Sequence, residues 1–219
     1  AGAAILAGGE DAARQRWLPA IASGRTVVAA AESDTLDFAD GLSYQLPYPL
    51  VSPQILFYPV SALRDFGYEF AAQYDALAAL LSERPSLDTA AALPFLPWTN
   101  AAQVLRARPQ YIEMEGGSGL RYLTFYAQGI EPLTDQAIFY TFQGIVADGA
   151  YYVSAIFPIK TSVFPEQIDP ATLDMDALAS GYAAYLTESL TQIESLADAD
   201  FYPALTTLDG LIASIAVQE

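Results

Sequence analysis

Tyr111-Ile112-Glu113-Met114-Glu115-Gly116-Gly117-Ser118-Gly119-Leu120-Arg121-Tyr122-Leu123-Thr124-Phe125-Tyr126 decides the fold together with a second stretch. The second is Phe139-Tyr140-Thr141-Phe142-Gln143-Gly144-Ile145-Val146-Ala147-Asp148-Gly149-Ala150-Tyr151-Tyr152-Val153-Ser154-Ala155-Ile156-Phe157. β-branched and aromatic residues alternate with other types, and glycine clusters interrupt them, which reads as two hairpins. The strand-like runs cover roughly 103–115, 119–128, 137–147 and 150–159. Gly116-Gly117-Ser118-Gly119 is the turn expected in the first pair, and Asp148-Gly149 in the second. Asp-Gly favours a type I′ turn, where both central residues need positive φ.

Those turns set a register. Glu115 is expected opposite Leu120 and Glu113 opposite Tyr122; Ala147 is expected opposite Ala150 and Phe142 opposite Ala155. One face then carries Ile112, Met114, Leu123, Phe125, Tyr140, Phe142, Val153, Ala155 and Phe157. The other carries Tyr111, Glu113, Tyr122, Thr124, Tyr126, Thr141, Gln143, Tyr152 and Ser154. A one-residue slip would exchange the faces, so the pattern pins the pairing. A single apolar face per hairpin fits a sheet covered on one side by helices.

Outward from this centre, Gln54 to Val60 reads as another strand, and Ser61 offers an N-cap to a helix over Ala62 to Ser82. Leu63, Phe66, Phe70, Tyr74, Leu77 and Leu81 form its apolar stripe, Gly67 weakens it, and Arg84-Pro85 ends it. The connection 86–99, with Leu93-Pro94-Phe95-Leu96-Pro97-Trp98, is expected to pack its aromatic residues on the core. Towards the C-terminus, Asp174 or Asp176 can cap a helix to about Ala197 with Leu178, Tyr182, Leu186, Leu190 and Ile193 on one stripe. Pro203 can start a last helix bearing Leu208, Leu211, Ile212 and Ile215. Towards the N-terminus, residues 1–24 read as helical, Thr26 to Ala31 as a strand or linker, and Leu42 to Leu46 as a strand cut off by Pro47.

The expected fold class is therefore α+β. An antiparallel β-sheet of two central hairpins and at least four strands packs against helices, and the C-terminal third is helical. The expected organisation is a single domain over 1–219, in which 1–40 can stand apart as a helical N-terminal appendage.

Composition bounds the chemistry. A 219-residue chain with 53% apolar residues has enough side chains for a sizeable core. No apolar run reaches the roughly 18–20 residues of a membrane span. The net charge of −17, from 26 acidic and 9 basic residues, opposes nucleic-acid binding, so no nucleic-acid partner is expected. Cysteine and histidine are both absent, which removes thiolate nucleophiles, disulfides, Ser-His-Asp machinery and the usual zinc sites. Carboxylate, tyrosine, lysine or bound-cofactor chemistry remains; no cofactor is expected.

Two resemblances add to this. Leu93-Pro94-Phe95-Leu96-Pro97, Asn100-Ala101-Ala102-Gln103, and Gly117-Ser118-Gly119-Leu120-Arg121-Tyr122-Leu123-Thr124 resemble segments of a family of bacterial exported lipoproteins of unknown function. Phe139-Tyr140-Thr141-Phe142-Gln143-Gly144, Asp148-Gly149-Ala150-Tyr151-Tyr152-Val153 and the closing Leu205-Thr206-Thr207-Leu208-Asp209-Gly210-Leu211-Ile212 extend the likeness over most of 42–217. It implies an extracellular or cell-envelope location. Its lipid-bearing cysteine is missing here, so either an anchor sits upstream of Ala1, where the lack of an initial Met fits a removed leader, or the chain is secreted without lipid. The second likeness, of Ala7-Gly8-Gly9-Glu10 through Arg16-Trp17-Leu18-Pro19 to Gly24, is to a helical segment of acyl-CoA dehydrogenases. It covers about 25 residues and stops before that family's flavin-contacting and catalytic-base regions, so it implies no flavin site.

The candidate ligand residues are Tyr111, Tyr122, Tyr126, Tyr152, Glu113 and Gln143. The tyrosines could form a flat platform that stacks on sugar rings or apolar ligands. The plainer reading covers that face with helices or with the 86–99 connection. Glu113 and Glu115, two apart on a strand, would lie about 7 Å apart on one face, a spacing open to glycoside hydrolysis or cation binding. Here the plainer reading is a solvated strand end that discourages edge pairing. Asp198, Asp200 and Glu194 lack the ligand pattern of an EF-hand and read better as helix caps than as a calcium site. Arg106, Arg108 and Arg121 read as surface ion pairs, and Gly116 to Gly119 lacks the lysine of a phosphate loop. The functional expectation is an exported or cell-envelope binding or structural domain, with a carbohydrate or protein ligand. The alternative is a carboxylate-dependent hydrolase acting on carbohydrate.

Overall fold

The computed structural model describes residues 53–87 and 92–215. The helix over 1–24, the 26–31 segment, the Leu42 to Leu46 strand and the 1–40 appendage lie outside the described residues. Five strands form one antiparallel sheet: β1 (Gln54–Pro59), β2 (Ala102–Met114), β3 (Gly117–Ala127), β4 (Phe139–Val146) and β5 (Tyr151–Pro158). Their spatial order is β1-β5-β4-β3-β2. Among the described residues four α-helices accompany the sheet: α1 (Val60–Phe66), α2 (Tyr68–Glu83), α3 (Met175–Ser195) and α4 (Leu205–Ala213). The fold is α+β, with helices at the C-terminus, as the hairpin pattern implies.

The second hairpin keeps the expected register, with Phe142 opposite Ala155 and Val146 opposite Tyr151. Asp148 and Gly149 take φ of 51° and 91°, and the Ala150 N–H donates to the Ala147 carbonyl across the turn. The first hairpin is displaced by two residues on each strand. Glu113 faces Ser118 and Tyr111 faces Leu120, where Glu113 was expected to face Tyr122. The turn is Glu115-Gly116, with Gly116 at φ 74°, and Gly117 and Gly119 belong to β3. Glycine inside a strand often marks close approach. Gly119 pairs with Gly144 on β4, and the Phe142 ring lies across both. A Cβ at Gly119 would sit 2.2 Å from Phe142 Cζ, and one at Gly144 2.5 Å from Phe142 Cε1. The displacement is an even number of residues in the pairing, so every side chain keeps its expected face.

Helices cover both faces, which corrects the expectation of a sheet roofed on one side. On one face, Leu123, Phe125, Tyr140, Phe142, Val153 and Ala155 join Ile193 of α3 and Leu205, Leu208, Leu211 and Ile212 of α4 in one cluster. On the other, Tyr58, Leu120, Tyr122 and Tyr152 pack with Leu63 of α1, Leu77 of α2, and Leu93 and Leu96. Nine consecutive residues of β3, Gly119 to Ala127, are accordingly buried. The predicted 62–82 helix is two helices broken at Gly67, and it starts at Val60 without a side-chain cap. Asp174 does cap α3, accepting from the Ala177 N–H at 2.9 Å.

Edge strand β2 carries register shifts between Gln103 and Leu105 and between Ala107 and Gln110. Arg108, at φ 55° and followed by Pro109, leaves the ladder there. Its N–H donates to Glu194 Oε1 at 2.7 Å, and its guanidinium donates to the Leu196 carbonyl at 2.6 Å and pairs with Asp198. A cation thus meets the carbonyl-rich end of α3, the favourable end of the helix dipole. Among the described residues, no helix is long and apolar enough to cross a membrane.

Candidate functional site

The chain from Leu93 to Pro97 crosses the second sheet face, and glutamine side chains hold it there. Backbone groups buried without a strand neighbour need substitute partners. Gln143 on β4 supplies them for Leu96: the Leu96 N–H donates to Gln143 Oε1 at 2.9 Å, and Gln143 Nε2 donates to the Leu96 carbonyl at 3.2 Å. Gln103 on β2 does the same for Leu93, at 2.9 Å and 3.3 Å. Gln73 on α2 accepts from the Phe95 N–H at 2.9 Å, and the Tyr122 hydroxyl donates to the Pro94 carbonyl at 2.7 Å. A primary amide presents a donor and an acceptor on one planar group, so Gln143 and Gln103 each act as a short strand partner.

The rest of the network closes on Gln143. Its two Nε2 hydrogens are shared among the Leu96 carbonyl, Thr141 Oγ1 and Ser154 Oγ, while the Tyr152 hydroxyl donates to its Oε1 at 2.7 Å. Ser154 in turn donates to the Leu96 carbonyl. Burial pushes the hydroxyls of Tyr122 and Tyr152 well above the usual tyrosine range, and both remain donors.

Outside this network a cavity of about 200 Å³ opens to solvent, lined by Gln73, Leu93, Phe95, Trp98, Thr99 and Tyr126 among others. Phe95 and Tyr126 form its inner wall, with ring centroids 4.7 Å apart at 33°. Trp98 remains 41% exposed at the site. The Tyr126 hydroxyl accepts from Gln103 Nε2 at 2.8 Å, and burial raises its pKa.

The six expected ligand residues divide. Tyr122, Tyr152 and Gln143 are completely buried and hold the Leu93–Pro97 segment in place, so none of the three presents a surface to a ligand. The open tyrosine platform is thereby corrected; the plainer reading, a covered face, matches the geometry. Tyr126 alone of the six lines the cavity. Tyr111 is half-buried beneath Arg84, whose guanidinium carbon lies 5.4 Å from its ring centre, and the same Arg84 pairs with Glu113. Glu115 lies in the turn instead of on the strand, so the two glutamates are not a same-face strand pair.

The other polar residues singled out in the sequence are engaged in structural contacts. Asp198 pairs with Arg108, Glu194 accepts from Arg108, and Asp200 accepts from the Ala197 N–H at 2.8 Å. Among the described residues, no group of three or more acidic side chains could hold a metal ion. Arg121 is not a surface residue: it is 2% exposed and paired with Asp209.

Sequence reasoning missed Gln73, Trp98, Thr99 and Gln103 as neighbours. The one signal was the proline-spaced aromatic run Phe95 to Trp98, which shows apolar content and cannot show which helix or strand it meets. No family model, no curated protein and no solved structure matches this chain.

Proposed function

We propose that this chain is a binding domain of an exported or cell-envelope protein, and that it binds at Trp98 and the cavity beside it. The observation that carries this reading is the half-exposed indole next to a cavity whose backbone is pinned by three glutamine side chains. Exposed aromatic side chains beside a preformed cavity give contact area at low ordering cost. The exported location is supported by the likeness of 42–217 to the lipoprotein family, and the acidic charge fits neutral or cationic partners better than anionic ones. The carboxylate-hydrolase alternative gains no support from Glu113, held by Arg84, and Glu115, in the turn.

The test is direct. Trp17 is the only other tryptophan, so a Trp17→Phe protein reports on Trp98 alone. Screened against neutral glycans, heterocycles and short peptides, its emission should shift saturably with at least one class. A Trp98→Ala protein of unchanged thermal midpoint should lose that binding by calorimetry. Retention of full affinity in Trp98→Ala would refute the site.

A further inference from the structure

Resting on that reading, we propose that the cavity beside Trp98 takes one ring of a neutral sugar, as the terminal residue of an uncharged glycan. Size comes first. A cavity of about 200 Å³ lies below the usual size range of drug-sized ligand pockets. That is room for a single small ring, not for an extended peptide.

Charge narrows the class. The chain carries 35 charged residues, yet every described residue that lines the cavity, Gln73, Phe95, Trp98, Thr99, Gln103 and Tyr126 among them, is uncharged. Among the described residues an anionic ligand would find no cation in the lining itself, Arg106 acting on Tyr126 from outside it, and it would approach against a net charge of −17. Among the same residues a cationic ligand would find no carboxylate in the lining. A neutral ligand pays neither penalty.

The lining then supplies what a sugar ring requires: an aromatic face for its C–H surface and polar groups for its hydroxyls. Trp98, partly exposed beside the cavity, offers aromatic surface. Gln103 is fully occupied by Leu93 and Tyr126. Gln73 uses only Oε1, towards the Phe95 N–H, so among the described residues its amide nitrogen has no protein partner. Among the same residues, the Thr99 hydroxyl has none either. The Gln73–Phe95 bond fixes the amide plane, so the unused N–H groups are oriented before a ligand arrives.

Calorimetry on the full chain tests the assignment, with Trp98 emission in the Trp17→Phe background as the second readout. The probes are methyl glycosides of glucose, galactose, mannose and N-acetylglucosamine, with methyl glucuronide as a charged counterpart and adenine and indole as flat aromatic controls. The expected result is saturable binding of at least one neutral glycoside with Kd below roughly 10 mM, and binding of the glucuronide weaker by about ten-fold or more. Thr99→Val and Gln73→Met should each weaken the glycoside by about five- to ten-fold, the scale of one lost hydrogen bond. Saturation by adenine or indole with no response to any neutral glycoside would overturn the sugar assignment and leave the binding site standing. Glycoside affinity unchanged in Thr99→Val, Gln73→Met and Trp98→Ala would place the sugar elsewhere and overturn it too. No response to any probe, nor to the glycans, heterocycles and peptides of the wider screen, would defeat both readings.

Discussion

Arg121 on β3 and Asp209 on α4 meet through two parallel hydrogen bonds, Nε to Oδ1 at 3.0 Å and Nη2 to Oδ2 at 2.9 Å. The guanidinium spends two further donors on the Arg108 carbonyl at 2.6 Å and Gln110 Oε1 at 2.8 Å. The Tyr140 hydroxyl donates to Asp209 Oδ1 at 3.0 Å; burial first, and the Asp209 charge second, hold it protonated. One carboxylate on the last helix therefore joins that helix to β3 and β4, and one arginine also holds the bulge of β2.

Removing the cation alone leaves Asp209 short of its main partner in a largely buried setting. Arg121→Met is expected to cost about 3 kcal/mol, the lower end for a broken buried pair, because Asp209 keeps some solvent contact. For a chain of this size that lowers the thermal midpoint by roughly 6–12 °C. The double variant Arg121→Met with Asp209→Leu should recover more than half of the loss, since an apolar pair removes both desolvation costs. Urea titration of the three proteins checks this, and an Arg121→Met protein within about 0.5 kcal/mol of the parent would disprove it.

Gln143→Leu retains approximate volume and deletes the amide. It strands the Leu96 N–H and the Tyr152 hydroxyl as buried groups without their partner, while the Thr141 hydroxyl keeps the Ala155 carbonyl. The expected cost is about 2–4 kcal/mol. Loosening should be local, so protease cleavage within 92–97 should rise before global unfolding. Equal cleavage rates in the variant and the parent under native conditions would count against the glutamine clamp.

Alkaline pH provides a third check. Burial raises the pKa of Tyr58, Tyr122, Tyr126, Tyr140 and Tyr152 above the usual value. Groups whose folded pKa is raised contribute stability that is present below the unfolded pKa of about 10 and is lost as pH climbs above it. Spectrophotometric titration at 295 nm should therefore show a fraction of the 14 tyrosines ionising near pH 10 while these five ionise only together with unfolding. A single smooth titration of all 14 near pH 10, with the far-ultraviolet dichroism intact, would contradict the burial.

Alternation along β4 and β5 was sufficient to place every side chain on its face, because strand periodicity is two and the Asp148-Gly149 turn leaves little freedom in register. The first hairpin was less legible. A glycine run looks the same whether it bends the chain or makes room for a neighbouring ring, and only the position of Phe142 separates the two uses. The cavity was less legible still, since Gln73, Trp98 and Tyr126 come from three separate parts of the chain.

By itself the sequence determined the α+β class, the two hairpins, the faces of their residues, and the exclusion of cysteine and histidine chemistry. These follow from local periodicity and composition, which neighbours in space cannot alter. Only the tertiary structure decided that the tyrosine-bearing face is interior and that Arg121 is buried. A hydroxyl, amide or guanidinium looks equally ready for water or for a buried partner until the fold supplies one. Here Pro94, Leu96 and Asp209 are those partners, brought from 28, 47 and 88 residues away.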